Sequence, residues 1–301
     1  MKDKLYILPF DHRGSFIKMF GFDPMRVDDN ATRLLSDYKH IIYEGFLAAL
    51  EMGVPADEAA ILVDEQFGAE IQREAKERGI TRILTTEKSG QDEFDFEYGA
   101  DFVSHIEMFR PDYVKALVRF NTEGDAAANK NQLEKLAALD AFCKQNGYAF
   151  LFELLVPATP AQLASCGGSE EQYENSMRPG LMKSAMKEIR AGGVEPDVWK
   201  LEGLEQAADM QVVAQTARDG GREHVGIVVL GRGESDEKVR VWLGASARVE
   251  GVVGFAVGRT VFKEPLMRHH HKQTTREAAA REIAENYKRY VDLFEKARKS
   301  E

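Results

Sequence analysis

Residues 197–203 read DVWKLEG, a short run with the character of a buried β-strand except for one lysine, Lys200. Valine and tryptophan suit a pleated, packed segment. An ammonium group inside such a segment loses hydration worth several kcal/mol unless it is paired. Lys200 therefore needs either a counter-ion or a task.

Similar runs recur on both sides of this one. They are LYILPF (5–10), AAILV (59–63), RILTT (82–86), YVKALVRF (113–120), YAFLFELLV (148–156), DVWKLE (197–202), VGIVVL (225–230) and GVVGFAV (251–257). Between them lie stretches with apolar residues at three-to-four spacing and a glycine at or near the end, notably 31–53, 131–147 and 178–193. Residues 274–301 read as one long closing helix. Eight strands alternating with helices predict a (β/α)8 TIM barrel, with residues 1–301 as a single domain. An open doubly wound sheet would carry a glycine fingerprint after its first strand, and DHRGSF (11–16) lacks it. The cluster RHHHK (268–272) reads as a solvated loop, and CGGSEEQYENSMRPG (166–180) as a loop after the fifth strand, placed to act as a lid.

Composition narrows the partners. A chain of 301 residues with 44% hydrophobic residues can bury a full core, and a net charge of -10 argues against nucleic acid or an anionic membrane as the main partner. No segment approaches the roughly 18 apolar residues of a membrane span, and the N-terminal MKDKLYILPF has no long apolar core of a leader. A cytoplasmic protein without structural disulfides is expected, with Cys143 in a helix core and Cys166 in a flexible loop. The sequence leaves room for a homo-oligomer.

In a barrel, residues at the C-terminal ends of the strands share one cavity. Those positions hold Asp11 and Arg13, Asp64 and Glu65, Glu87 and Lys88, Lys115, Glu153, Lys200, Gly231 and Arg232, and Gly258 and Arg259. The inventory is ionic, and two readings fit it. Lys115 and Lys200 could simply neutralise Glu153, Glu202 and Asp11. Alternatively, a desolvated lysine beside a second cation yields a free amine able to attack a carbonyl and form a Schiff base. LGRGES (230–235) and VGRTVF (257–262) each join glycine to arginine where barrels commonly hold a phosphate, so a phosphorylated carbonyl compound is the implied ligand. His12 is better read as making ordinary hydrogen bonds than as a base. Asp64 and Glu65 lack the accompanying histidines of a zinc site, so no metal is assigned.

The motifs PFDHRGSF (9–16), EKSG (87–90), DYVKALVRF (112–120), FLFELL (150–155), DVWKLE and GFAVGRTVF (254–262) occur in an order that resembles the tagatose-1,6-bisphosphate aldolase family of class I aldolases. The chain is most similar there to the 5-dehydro-2-deoxyphosphogluconate aldolase domain of inositol catabolism. The resemblance implies a lyase that needs no cofactor or metal. It maps the imine-forming lysine onto Lys200, a second lysine onto Lys115, the acid/base onto Glu153 and further site residues onto Asp11, Arg13, Gly258 and Arg259. It leaves Glu153 and Asp11 unranked as proton shuttles, with Glu87, Lys88, Gly231 and Arg232 expected at the substrate. The substrate implied is 6-phospho-5-dehydro-2-deoxy-D-gluconate, cleaved to dihydroxyacetone phosphate and malonate semialdehyde. Tagatose 1,6-bisphosphate, fructose 1,6-bisphosphate and a sulfonated sugar phosphate are the alternatives, and a non-catalytic sugar-phosphate-binding barrel is the competing reading.

Overall fold

Runs of five to seven residues that are buried on both faces make strands for a sheet covered by helices, and that is where the apolar runs go. The computed structural model describes residues 2–299. Its strands are β1 (Leu5–Pro9), β2 (Ala59–Val63), β3 (Thr81–Thr85), β4 (Tyr113–Arg119), β5 (Ala149–Leu155), β6 (Val198–Glu202), β7 (Gly226–Leu230) and β8 (Val252–Ala256). All neighbours pair in parallel and close in sequence order into one barrel. The predicted (β/α)8 TIM barrel is the observed fold.

The helices begin and end for local reasons. Asp28 caps the helix Asp29–Glu51 by accepting from the Ala31 amide, and Asp125 caps Ala126–Asn146, which stops at the left-handed Gly147. The closing helix is Arg276–Lys299; Ser300 and Glu301, included in the sequence expectation, lie outside the described residues. It packs against Asp29–Glu51, and its Tyr287 hydroxyl donates to the Tyr6 carbonyl of β1 at 2.6 Å. No helix among the described residues is long and apolar enough to cross a membrane.

Two stretches read as loops are helical. RHHHK is a solvated turn only at His271 and Lys272: Arg268, His269 and His270 form the last turn of the helix Arg259–His270, and His270 Nδ1 meets the Tyr38 hydroxyl at 2.8 Å. The helix continues because the histidine rings find aromatic partners in Phe20 and Tyr38, which a count of charges does not reveal. Residues 166–180 are likewise packed, through the helix Glu170–Ser176 and the start of Arg178–Ala191. Tyr173 is buried and donates to the Val156 carbonyl at 2.9 Å. Cys166 is also buried, 3.7 Å from Met177 Sδ, rather than in a flexible loop; Cys143 lies in the core as expected.

Inside the barrel, Leu5, Ile7, Ala60, Leu62, Ile83, Tyr113, Leu151, Val198, Val228 and Ala256 form an apolar plug. Because strand side chains alternate, the next inward position on each strand is two residues further on. That step turns Ile83, Tyr113, Leu151 and Val198 into Thr85, Lys115, Glu153 and Lys200. The plug is thus the floor on which a charged layer stands. The β8–β1 seam is tight: Gly254 pairs with Leu5, and a Cβ at Gly254 would overlap the Leu5 carbonyl. Replacing Gly254 by alanine is expected to prise this seam apart and lower stability by about 3 kcal/mol, measured by denaturant unfolding; a loss within experimental error would show that the seam relaxes freely.

Candidate active site

Glu153 and Lys200 are directly paired in register on β5 and β6, so their side chains leave the sheet side by side on the same inner face. Lys200 Nζ lies 2.8 Å from Glu153 Oε2, and the same oxygen is 2.9 Å from Lys115 Nζ. Lys115 also reaches Asp11 Oδ2 at 2.8 Å and Glu87 Oε1 at 2.6 Å. All five side chains are buried. Two ammonium groups and three carboxylates therefore share the barrel floor, and each carboxylate has a cation in contact.

This layout divides the labour between the lysines. The three carboxylates around Lys115 hold it above the ordinary lysine value against the opposing burial. In return the lysines hold Asp11 and Glu153 below the ordinary carboxylate range, although burial pushes both upward. Lys115 is therefore a fixed ammonium that anchors three acids, not the free neighbouring cation expected from the sequence, because its charge is already neutralised. Among the described residues Lys200 has only Glu153 in ion-pair contact.

The floor opens into a cavity of about 470 Å³ lined by Asp11, His12, Lys115, Glu153, Lys200 and Arg259, with Lys88, Gly231 and Arg232 at its rim. That is room for a sugar phosphate. Several expected contacts are already spent. Arg13 is buried and lines the cavity, with Nη1 on Glu97 Oε2 at 2.7 Å and Nη2 on the Glu87 carbonyl, so it also braces two loops. Glu87 is a counter-ion of Lys115, and its other oxygen accepts from the Leu117 amide at 3.2 Å. Arg232 Nη1 is taken by Glu174 Oε1 at 2.6 Å and Glu202 Oε1 at 3.2 Å. Gly258 is needed for packing, since a Cβ there would overlap the Pro9 carbonyl; Gly231 has ordinary space. Among the described residues Arg259, Lys88, Arg119 and Lys18 line the cavity without a carboxylate in ion-pair contact.

Asp64 and Glu65 fall outside the cavity. Asp64 caps the helix Glu65–Glu77 and pairs with the fully buried Lys39, and Glu65 binds His105 Nδ1 at 2.8 Å. Lys39, overlooked in the sequence, also donates to the His12 carbonyl at 3.1 Å and lies over Phe16 and Phe67. A signal for it existed, because Lys39 stands on the same apolar stripe as Leu35, Ile42 and Phe46. Arg119 was legible too, since it lies four residues after Lys115 and thus on the same strand face. Nothing local marks Glu97, Glu174 or Lys18.

The family model described as "Uncharacterized protein conserved in bacteria (DUF2090)" matches residues 1–298. The chain belongs to the DUF2090 family. No curated protein matches this DUF2090 chain. Among solved structures it is similar to fructose-bisphosphate aldolase from Plasmodium falciparum in complex with TRAP and a small-molecule inhibitor, at 12% identity and TM-score 0.65, covering 98% of this chain and 91% of that one. An archaeal fructose 1,6-bisphosphate aldolase gives 12% identity and TM-score 0.61 over 97% and 93% of the two chains. Cgl0159 from Corynebacterium glutamicum gives 18% identity and TM-score 0.56 over 94% and 85%. At such identities the likeness shows the fold alone.

Acid should weaken this site in two stages. Burial lowers His12 to about 4 from its ordinary 6.5, against the opposing Asp11, with Arg259, Lys200 and Lys39 adding to the depression. Between those values the unfolded chain takes up a proton that the folded chain refuses, so stability falls as pH drops. Asp11 and Glu153 contribute fully above the ordinary carboxylate range, and that stability is lost as pH falls through it toward their lower folded values. Lys115, raised, contributes fully below the ordinary lysine value and loses this only as pH rises through its higher one. The His12→Gln variant is expected to lack the first stage, a difference of about 3 kcal/mol near pH 4. Unfolding midpoints measured from about pH 8 downward check it, and identical slopes in the two proteins would refute the assignment.

Proposed function

We propose that this protein is a Schiff-base aldolase acting on a phosphorylated keto sugar, with Lys200 as the nucleophile. The observation that carries the reading is the buried Lys200 amine 2.8 Å from Glu153 at the base of a cavity lined by Arg259, which has no carboxylate in ion-pair contact among the described residues. A nucleophile within hydrogen-bond reach of a base, which is itself oriented by a third group, is the arrangement covalent catalysis needs. Here Lys115 orients Glu153. The fold neighbours add support from outside the chain, one being described as the "Schiff Base Forming Fructose-1,6-bisphosphate Aldolase".

In this reading Glu153 takes a proton from Lys200, whose free amine then adds to the substrate ketone. Glu153 returns a proton as the carbinolamine loses water, and the protonated imine draws electrons from the adjacent carbon–carbon bond as it breaks. Asp11, fixed by Lys115, faces the same cavity and is the second candidate to accept the hydroxyl proton. Lys115 stays an ammonium throughout and holds Glu153 and Asp11 in place.

The rim supports the proposed substrate class. In a closed barrel in sequence order, β8 lies across from β4 and β7 across from β3. Arg259, after β8, therefore faces Arg119 of β4, and Lys88, after β3, faces the β7 turn. A keto sugar with a phosphate at one end and a second anion at the other spans these poles. We assign 6-phospho-5-dehydro-2-deoxy-D-gluconate as the leading substrate, giving dihydroxyacetone phosphate and malonate semialdehyde; tagatose 1,6-bisphosphate, fructose 1,6-bisphosphate and a sulfonated sugar phosphate share the anionic ends.

Incubation with dihydroxyacetone phosphate and borohydride is expected to leave a reduced adduct on the peptide containing Lys200, detected by mass, and Lys200→Met should abolish it. Absence of an adduct in the unaltered protein would favour a barrel that binds a sugar phosphate without cleaving it, its lysines serving as counter-ions. Glu153→Gln should still bind substrate but turn over roughly 10²- to 10⁴-fold more slowly. Arg119→Met should raise KM for a doubly anionic substrate by about tenfold, the loss of one charge-assisted contact, while leaving adduct formation with dihydroxyacetone phosphate intact. Equal effects of Arg119→Met on both would remove the second anionic pole from the model.

A further inference from the structure

We propose that Glu174, which takes no part in the chemistry above, positions Arg259 for phosphate through Arg232, so that Arg232 is a strut and not itself a phosphate ligand. The inference rests on the reading of this cavity as a phosphate site. It begins with a backbone oddity. Residues Gly231–Glu234 form a turn closed by the Glu234 amide on the Gly231 carbonyl at 2.9 Å, and both central residues, Arg232 (φ 52°) and Gly233 (φ 81°), are left-handed. Glycine adopts that conformation freely, whereas arginine does so only when its surroundings hold it there.

Arg232 is held at both ends. Its guanidinium is held by Glu174 at 2.6 Å and Glu202 at 3.2 Å. Its carbonyl accepts from Arg259 Nη2 on the cavity side. Glu174 is itself buried and clamped, with Arg178 Nη1 at 3.1 Å and Lys238 Nζ at 2.8 Å, so it is a firm anchor. It rides on the helix Glu170–Ser176, which is thereby fastened to the β7 turn.

Gly233 completes the device. The Arg259 guanidinium lies so close over it that a Cβ would overlap the guanidinium carbon, and the flexible end of a side chain is the part able to move. The left-handed turn thus supplies both a carbonyl to bind Arg259 and a bare backbone on which it rests. Arg259 has no carboxylate in ion-pair contact among the described residues, so its remaining donors stay available to an anion. Arg232 commits Nη1 to two carboxylates, so its charge is largely answered before an anion arrives.

Titration of inorganic phosphate and of dihydroxyacetone phosphate into the full-length protein tests this by calorimetry, with circular dichroism confirming that each variant is folded. Glu174→Gln is expected to weaken phosphate binding about tenfold, as one charge-assisted contact is lost, and Glu174→Asp to recover most of it. Gly233→Ala should weaken binding as much as Arg259→Met, because it displaces that guanidinium while sparing the barrel. Combining Glu174→Gln with Arg259→Met should add nothing beyond Arg259→Met alone. Were Arg232 a direct ligand, Glu174→Gln would free a cation and tighten binding, which overturns the proposal; unchanged affinity, additive effects or no phosphate binding by the unaltered protein also overturn it. Phosphate binding with the expected pattern but no borohydride adduct on Lys200 leaves the strut standing and sinks the imine chemistry alone.

Discussion

One carboxylate oxygen, Glu153 Oε2, touches two lysines on neighbouring strands, and the rest of the site is arranged around that shared contact. Remove the carboxylate and two buried ammonium groups face each other without it; remove a lysine and buried acids lose their counter-charge. The cluster also fixes an order of roles. Lys115 is surrounded and keeps its proton, Glu153 is held ionised and ready to accept one, and Lys200 is the cation with a single partner. Asymmetry between two chemically identical side chains comes entirely from how many acids each can reach.

Much of this was legible because strands carry a period of two. The run DVWKLEG placed a lysine where a strand ought to be apolar, and the same alternation set Lys115 and Glu153 on the inner faces of neighbouring strands. All eight strands lie within a residue or two of their predicted runs. What the sequence did not disclose was which charge answers which. Arg13 meets Glu97 and Arg232 meets Glu174, partners far away in the chain and carried on loops or short helices with no periodicity to read. The helical 166–180 segment and the histidine turn escaped for the same reason. Polar, glycine-bearing stretches look like loops until a distant surface offers Tyr173, Cys166 or His270 a place to pack.

Charge therefore has to be counted in two layers. On the floor every acid has a cation, so the layer has little appetite for a ligand's charge and serves chemistry. At the rim, the groups without a carboxylate in ion-pair contact among the described residues are cationic: Arg259 after β8, Lys18 after the neighbouring β1, and Arg119 and Lys88 on and after β4 and β3. An overall acidic protein can hold such a rim because the net charge of -10 is a property of its whole surface, whereas a concave cavity is governed by the groups that line it.

The two layers also differ in how firmly they are built. Glu153 and Lys200 sit on hydrogen-bonded strands in direct register, so their separation follows from the strand spacing itself and survives any change that leaves the barrel closed. Arg259 owes its place to a turn outside the sheet, held through Arg232 by acids on the helix Glu170–Ser176 and on β6. A fold shared with proteins at 12% identity thus guarantees neither layer, but it makes the first easy to keep and the second easy to alter. The rim is for that reason free to vary with the loops, while the charged floor is fixed on β4, β5 and β6.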